Sequence, residues 1–184
     1  ARVMQISIEK FTLIGATTRL GLISRPLRDR FGIPLQLDFY NPDALKKIIK
    51  NNCLKFGYNI DEEATLEIAH RSRGTPRIAI RLLKRILDFA IVKDMKFVDQ
   101  NLVSNSLSLM RIDHAGLDEM DRKYLSCIIN NYSGGPVGID TLSAALLEQR
   151  DIIEDVIEPY LMQKGFVQRT PRGRIITKKG SDHL

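Results

Sequence analysis

Residues 11–42 constrain the fold of this chain more than any other segment. They comprise an apolar run that ends at Gly15, a polar tip, an insert rich in arginine, and a second run in which apolar and polar residues alternate. Short apolar runs are typical of strands, and a continuous one is typical of a strand buried on both faces. The segment therefore predicts a strand at 11–15, a polar tip, a short helix, and a second strand at 35–39.

The insert carries more positive charge than its own acidic residue can neutralise. It holds three arginines beside one aspartate, namely Arg25, Arg28, Arg30 and Asp29. The whole chain has a formal net charge of +6, which is compatible with nucleic acid, anionic lipid or nucleotide phosphate as a partner without choosing among them. We therefore expect an anionic partner from outside the segment, although surface arginines can also be simply solvated.

A helical pattern follows Asn41 and Pro42, where the proline disfavours helix for the residue before it and marks a first domain boundary. Apolar residues recur at helical spacing in four stretches that begin near residues 43, 61, 76 and 99. Asp43 is a plausible start signal for the first helix, and Thr75, followed by proline, suits the start of the third. Arg77 falls in the first turn of that third helix, where its guanidinium and the helix dipole together suit phosphate. Taken alone, it would more often be an ordinary surface arginine on an arginine-rich helix. Residues 43–111 therefore predict a compact all-helical domain.

The last part of the chain predicts a winged-helix domain. Three helical stretches, at about 118–131, 140–147 and 151–164, precede two short strands joined by a turn at 170–173. From residue 164 to residue 179 there are six basic side chains and no acidic one, which suits contact with phosphates rather than the reading of bases. The third helix instead carries acidic residues that phosphates would repel, so we do not expect it to read bases: Asp151, Glu154, Asp155 and Glu158.

Several function classes are disfavoured by the residue types. The sequence contains no Gly-x-x-x-x-Gly-Lys-Ser/Thr motif, so a self-contained nucleotide-hydrolysing site is not predicted. Cys53 and Cys127 lie far apart on apolar helix faces, which favours buried thiols in a reducing compartment over a disulfide or a metal site. No apolar run approaches the roughly 20 residues of a membrane span, and we expect a cytoplasmic protein. The histidines are isolated along the sequence: His70, His114 and His183.

Seven motifs, in order along nearly the whole chain, resemble the RuvB family. These are bacterial ATPases of the AAA+ class that drive branch migration of Holliday junctions together with RuvA. The motifs are GATTR at 15–19, PLRDRFG at 26–32, LDFY at 37–40, RGTPR at 73–77, MDR at 120–122, GGPVG at 134–138 and QRTPRGR at 168–174.

The resemblance implies a fold that is mainly α with some β, in three domains. Residues 1–40 would be the tail of a large AAA+ α/β ATPase domain, 41–111 an all-helical lid, and 112–184 a winged-helix head that binds DNA. The Walker A and Walker B segments of the family are expected upstream of Ala1, so the chain resembles a C-terminal fragment that should not hydrolyse ATP alone.

The resemblance also assigns roles residue by residue. Thr18 would be sensor 1, which reports on the γ-phosphate, and Arg30 would be the arginine finger that reaches the nucleotide of the neighbouring subunit. Tyr40 would contact the nucleotide near its base, and Arg77 would be sensor 2. The implied DNA contacts are Arg150, Arg169 and Arg174, to which we add Arg172 on physical grounds alone.

The same resemblance implies cofactors and partners. The cofactors would be ATP or ADP with Mg²⁺ in the intact protein, and we expect none bound to this fragment. The partners would be Holliday junction or duplex DNA, RuvA, RuvC in the junction-resolving complex, and further copies in a homohexameric ring, although we expect the fragment alone to be a monomer. Hydrolysis would rotate the lid about a hinge at 40–42 and move the head's basic hairpin along the DNA backbone.

Two other interpretations remain open. A replication-initiator ATPase of the AAA+ class also joins a lid to a winged helix, but the motif at 168–174 argues against it. A non-enzymatic winged-helix DNA-binding regulator is the alternative from a different class. It would need base-reading side chains on the 151–164 helix, where this sequence has acids.

Overall fold

The computed structural model describes residues 9–184, and the chain divides into two compact units, 1–38 and 39–184. Among the described residues of the first unit, the regular elements are a 3₁₀ turn at Leu20–Leu22 and helix α1 at Arg25–Arg28. Pro26 lies at the beginning of α1, where its fixed φ angle suits a helix and its missing N–H costs nothing. The short helix predicted in the arginine-rich insert is therefore present.

The strands predicted at 11–15 and 35–39 are wrong for this structure. Neither segment has strand structure, and among the described residues neither pairs with another strand. The apolar side chains that were expected to be buried are exposed, for example Ile14 at 88% and Leu37 at 92%. The physical reason is that a strand is completed by hydrogen bonds to a neighbouring strand, and an apolar run cannot supply that neighbour.

The second unit begins with a helical layer. Its helices are α2 at Pro42–Lys55, α3 at Glu62–Arg71, α4 at Pro76–Val92 and α5 at Gln100–Leu109. Two short strands accompany them, β1 at Asn59–Ile60 and β2 at Phe97–Val98, which pair in parallel. The all-helical pattern predicted for this region is thus confirmed apart from a two-residue pairing.

Polar caps set where these helices begin. Asn41 caps α2, with its side chain accepting a hydrogen bond of 2.8 Å from the Ala44 amide, so α2 begins one residue before the predicted start signal, Asp43. Asp61 caps α3 in the same way at 2.5 Å. Thr75 occupies the N-cap position of α4, as predicted, but its hydroxyl donates to the carbonyl of Arg73 instead of capping the helix.

The four helices enclose one hydrophobic core. Its fully buried members include Ile49, Cys53, Ile68 and Leu83. Cys53 is a free thiol, and so is the buried Cys127 in the following part of the chain. The sequence-based expectation of two buried thiols is therefore confirmed.

Burial should make Cys53 unreactive. Desolvation raises the pKa of its thiol to about 11, so at pH 8 roughly one thiol in a thousand is the reactive thiolate. We expect the native chain to react with a disulfide reagent far more slowly than a small thiol at the same pH, and both cysteines to react at once in denaturant. A fast phase in native buffer would contradict the buried position.

The rest of the second unit packs around a separate hydrophobic core. Its helices are α6 at Glu119–Tyr132, α7 at Ile139–Leu146, α8 at Arg150–Ile152, α9 at Glu158–Gln163 and α10 at Lys178–Ser181. Strands β3 at Val167–Thr170 and β4 at Gly173–Ile176 form an antiparallel hairpin. The core includes Leu125, Ile128, Leu142, Ile153 and Leu161. Three helical stretches and a hairpin are present in the predicted order, while the domain boundaries at 40/41 and 111/112 stay predictions.

The third predicted helix of this part, at 151–164, is interrupted. It consists of α8, a π-helical turn at Ile153–Ile157, and α9. Pro159 near the start of α9 accounts for the break, because a proline has no N–H to donate and its ring clashes with the preceding turn.

The hairpin turn is two residues long. Thr170 pairs with Gly173 across it, which leaves Pro171 and Arg172 at the tip. Gly173 has a φ angle of 134°, and a Cβ there would lie 2.4 Å from the carbonyl oxygen of Val137. Glycine is therefore required where β4 crosses Val137. Among residues 9–184, no helix has the length and apolarity of a membrane span.

Candidate functional site

The polar tip and the arginine insert are adjacent within the first unit. A Cβ at Gly15 would lie 3.3 Å from the ring of Phe31, the residue that follows Arg30. Thr18, in the tip, is exposed, and so is Arg30. Arg25 lies 3.8 Å from Asp29, whereas within the described residues Arg30 has no carboxylate partner. The arrangement leaves the Arg30 guanidinium available to an anion, and the roles of Thr18 and Arg30 stay predictions.

Tyr40 and Arg77 lie at one corner of the helical layer. The Tyr40 amide donates a hydrogen bond of 2.8 Å to the carbonyl of Gly74, three residues before Arg77. Arg77 is the second residue of α4 and is exposed, and Tyr40 is 48% exposed. A guanidinium beside the free amides of a helix start suits phosphate oxygens, and a half-exposed ring suits a flat base. The structure thus brings these two candidate nucleotide residues to the same corner.

The basic hairpin is held by a buried carboxylate. Glu158, on α9, has no exposed surface, and its Oε1 accepts hydrogen bonds from Arg174 Nε at 2.7 Å and from the Tyr124 hydroxyl at 3.0 Å. Its Oε2 accepts from Arg169 at 2.5 Å. A second guanidinium nitrogen of Arg174 donates to Glu154 at 2.8 Å.

This network changes the interpretation of the acidic helix and of two predicted DNA contacts. Glu158 is buried and paired with Arg169 and Arg174, so its negative charge is already neutralised and it does not repel phosphates as the sequence suggested. Arg174 is 7% exposed and is not a projecting side chain. Burial works against the charge of Arg174, but the hydrogen bonds that Arg174 donates to Glu158 and Glu154 prevail and raise its pKa. Burial, reinforced by Glu158, also raises the pKa of Tyr124.

The remaining predicted DNA contacts differ in availability. Arg172 is exposed at the hairpin tip and has no ion-pair partner among residues 9–184. The Arg150 side chain is 56% exposed but lies 3.2 Å from Glu154 and 3.8 Å from Asp140. Arg169 is 46% exposed and bound to Glu158. Arg172, which the family resemblance did not assign, therefore has the least neutralised charge of the predicted DNA contacts.

Two histidines that are isolated along the sequence lie side by side in the structure. The rings of His114 and His183 have centroids 4.8 Å apart. His183 also lies 2.8 Å from a carboxylate oxygen of Asp113 and stacks on Phe166. A cavity of about 600 Å³ adjoins them and is also lined by Lys164, Lys178 and Lys179. Three lysines beside the ends of the hairpin thus share this cavity with one carboxylate, that of Asp182.

Sequence reasoning missed Arg73, which reaches from the helical layer to the winged-helix part. Its Nε donates to the carbonyl of Gly116 at 2.8 Å, and it forms an ion pair with Asp121. Arg73 was visible only as the first residue of the motif at 73–77. A side chain whose partners lie more than 40 residues away leaves no local signal.

Family models account for nearly the whole chain. Residues 1–37 match the Holliday junction DNA helicase RuvB P-loop domain, residues 40–113 match the RuvB AAA lid domain, and residues 114–184 match the RuvB C-terminal winged helix domain. Lid and winged-helix folds agree with the two helical cores described above.

Individual relatives agree with the models. The chain is 56% identical over 184 residues to the Holliday junction branch migration complex subunit RuvB of Orientia tsutsugamushi, strains Ikeda and Boryong, and spans 57% of the length of each. It also superimposes on the Thermotoga maritima RuvB Holliday junction branch migration motor with a TM-score of 0.90 and 51% identity, covering 96% of this chain and 59% of that one. This chain therefore belongs to the RuvB family.

Proposed function

We propose that this chain is the lid and DNA-binding part of an ATP-driven motor that branch-migrates Holliday junctions in recombination and repair, together with RuvA. The observation that carries the proposal is the ordered match of residues 1–37, 40–113 and 114–184 to three successive RuvB domains. The match supports an ATP-dependent DNA helicase that hydrolyses ATP to ADP and phosphate. This chain spans 57% of its curated relatives, so the proposal concerns the longer protein.

In that protein, four residues of this chain would serve the nucleotide. Arg77 and Tyr40 would bind the phosphates and the base edge from the lid of the same subunit, which their shared corner at Gly74 supports. Thr18 would sense the γ-phosphate. Arg30 would act in trans, because an exposed guanidinium without a carboxylate partner among the described residues is free to stabilise charge on a neighbouring subunit's nucleotide.

The residues present fit ATP or ADP at its phosphate end. An exposed arginine at the amino end of a 17-residue helix is a suitable anion site. Bound Mg²⁺ would neutralise phosphate charge, and its ligands would come from the Walker segments of the longer protein. Residues of this chain would orient the phosphates and report on them.

The head would grip the backbone of junction or duplex DNA without reading its sequence. Arg172 at the hairpin tip would make the leading phosphate contact, with Arg150 and the lysines beside the cavity contributing. Arg169 and Arg174 would contact DNA only on leaving their carboxylate partners. We further propose that the motor acts in the cytoplasm as a homohexameric ring, and that RuvC joins it in the junction-resolving complex.

Salt-dependent DNA binding by the 184-residue chain tests the head's role. We expect affinity for junction and duplex DNA to fall steeply with salt and to vary little with sequence. Replacing Arg172 with alanine should weaken binding equally across sequences and lower the slope of log K against log salt by about 1. The measurement is fluorescence anisotropy at four or more salt concentrations.

Arg85→Ala is the matched control, because it removes the same charge from a solvent-exposed side chain on the lid, 69% exposed and paired with Asp88. It should leave both affinity and slope unchanged. Strong preference for one duplex sequence would favour the regulator interpretation. Equal effects of the two substitutions would remove the hairpin tip from the DNA site.

A further inference from the structure

Arg73 joins the lid to the winged-helix head by contacts with four residues. Besides its bond to Gly116 and its ion pair with Asp121, it lies 3.3 Å from Asp118, and its guanidinium carbon lies 4.9 Å from the ring centre of Tyr160. The Arg73 side chain is only 13% exposed. Burial raises the pKa of Asp121, and the Arg73 guanidinium opposes that effect. The guanidinium therefore meets a carboxyl group whose side chain is only 2% exposed.

Each partner of Arg73 is itself fixed in the head. Asp118 and Asp121 form the capping box at the start of α6. The Tyr160 hydroxyl donates to the carbonyl of Ala115 at 2.5 Å. Tyr160 lies on α9, the helix whose Glu158 holds the hairpin arginines. A displacement of Arg73 is therefore opposed by a continuous set of contacts that extends to the pair Arg169 and Arg174 in the strands of the hairpin.

The other end of Arg73 is fixed to the candidate nucleotide corner. Arg73 and Gly74 both have left-handed backbone conformations, with φ angles of 53° and 68°. A Cβ at Gly74 would lie 2.8 Å from the Cβ of Phe39, so only glycine fits where the chain entering the lid crosses this turn. Gly74 also accepts the hydrogen bond from Tyr40. The backbone that positions Tyr40 and Arg77 is thus the backbone that carries Arg73.

A second lid arginine supports the same junction. Arg71 donates to the carbonyl of Ile112 at 2.9 Å and is held by Glu67 at 2.5 Å. A Cβ at Gly116 would lie 2.7 Å from the carbonyl oxygen of Arg71, so the two backbones approach closely. The lid and the head are therefore packed closely where they meet. Arg73 and Asp121 form the buried ion pair of this junction.

We propose that Arg73 is a positioning residue that locks the lid and the head into one body, so that a nucleotide-driven movement of the lid is transmitted to the DNA-gripping hairpin. The effect of this lock on motor activity rests on the proposed function. The fixed arrangement of lid and head does not. Without the lock, the lid would still respond to nucleotide, but the head would move independently of it.

A distance measurement on the 184-residue chain tests the lock. Spin labels at Lys47→Cys on α2 and Lys123→Cys on α6, both exposed positions, would report the lid-to-head distance by pulsed electron resonance, with the two native cysteines replaced by alanine. We expect one narrow distribution. Arg73→Ala should broaden it at least about twofold, because the loss of a multi-pronged contact lets the two bodies adopt more than one arrangement.

Arg73→Lys is the second variant, because it keeps the charge but cannot reach Gly116 and Asp121 together. It should also broaden the distribution, while Arg85→Ala should leave it unchanged. Circular dichroism must show each variant folded, and DNA affinity of the folded variants should equal that of the parent. An unchanged distribution in either folded Arg73 variant overturns the lock.

The transmission is tested in a longer protein that joins this chain to the Walker segments of a RuvB relative. Arg73→Ala should leave DNA-stimulated ATP hydrolysis in place but raise the ATP consumed per junction migrated by about tenfold, a typical size for a coupling between two sites. An equal loss of hydrolysis and migration would overturn transmission and assign Arg73 to the nucleotide corner. If the parent hydrolyses no ATP, the proposed function fails, and the distance measurement still decides the lock.

Discussion

Replacing Arg30 with alanine will lower DNA-stimulated ATP hydrolysis by about 10³–10⁵-fold in a protein that carries this chain behind the Walker segments of a RuvB relative. Phosphoryl transfer gains most from positive charge positioned at the phosphate oxygens, and a finger supplied in trans stabilises charge that develops only in the transition state. Arg30 is exposed, lies two residues after the end of α1, and has no carboxylate partner among the described residues. The loss should appear in kcat rather than in the affinity for ATP.

Arg25→Ala is the control for Arg30. It removes the same charge from the same short insert, but from a side chain that lies beside Asp29, so hydrolysis should change little. Steady-state ATPase assays with saturating junction DNA measure both variants. Equal activity of Arg30→Ala and the parent would remove Arg30 from the nucleotide site.

Mixing separates a role in trans from a role within one subunit. Arg30→Ala subunits can be mixed with subunits that have an intact Arg30 but a defective Walker A lysine. Part of the activity should return, because the Arg30 of a Walker-defective subunit can reach the nucleotide bound by a neighbouring Arg30→Ala subunit. No recovery over a range of mixing ratios would mean that Arg30 serves its own subunit.

Replacing Glu158 with alanine will lower the free energy of unfolding by about 3–5 kcal/mol, because it leaves the buried Arg174 guanidinium without its principal partner. Glu158 is fully buried and accepts hydrogen bonds from Tyr124, Arg169 and Arg174. Glu154 can compensate only in part, because it bonds to one nitrogen of Arg174 from a more exposed position. Urea denaturation followed by circular dichroism measures the change.

Two variants make this result interpretable. Glu63→Ala removes an exposed glutamate from α3 and should change the unfolding free energy by less than about 0.5 kcal/mol. Glu158→Gln keeps the size and one acceptor oxygen, so it should fall between alanine and the parent. If Glu158→Ala were as stable as Glu63→Ala, the carboxylate would not hold the hairpin.

Most helices could be predicted from the sequence because their determinants are local. Apolar spacing identified α2 to α7, and Asn, Asp and Pro near their starts set the boundaries to within a few residues. The strand predictions at 11–15 and 35–39 were wrong because an apolar run or an alternating pattern describes the faces of a strand but does not supply the neighbouring strand that completes it. The break before Pro159 was not predicted, although proline is its physical cause.

The candidate sites were predictable only where one short motif contains them. Tyr40 and Arg77 followed from such motifs, and the structure brings them to one corner through Gly74. The partners of Arg174 and Arg73 lie in other helices, so their charges looked free in the sequence. A charge count along the chain cannot distinguish an arginine that is free to bind a phosphate from one that already forms an ion pair with a carboxylate.

The two-residue tip of the hairpin also limits how far the head can reach. Four residues in each strand, at about 3.3 Å per residue, give a length of about 13 Å, comparable with the roughly 12 Å width of the DNA major groove. In the proposed DNA complex, a hairpin of this length would contact one phosphate strand at one place and would not wrap the duplex. In the proposed ring, DNA would pass from the head of one subunit to the head of the next. The processivity of such a ring would depend on how many heads contact DNA at one time rather than on the affinity of any single head.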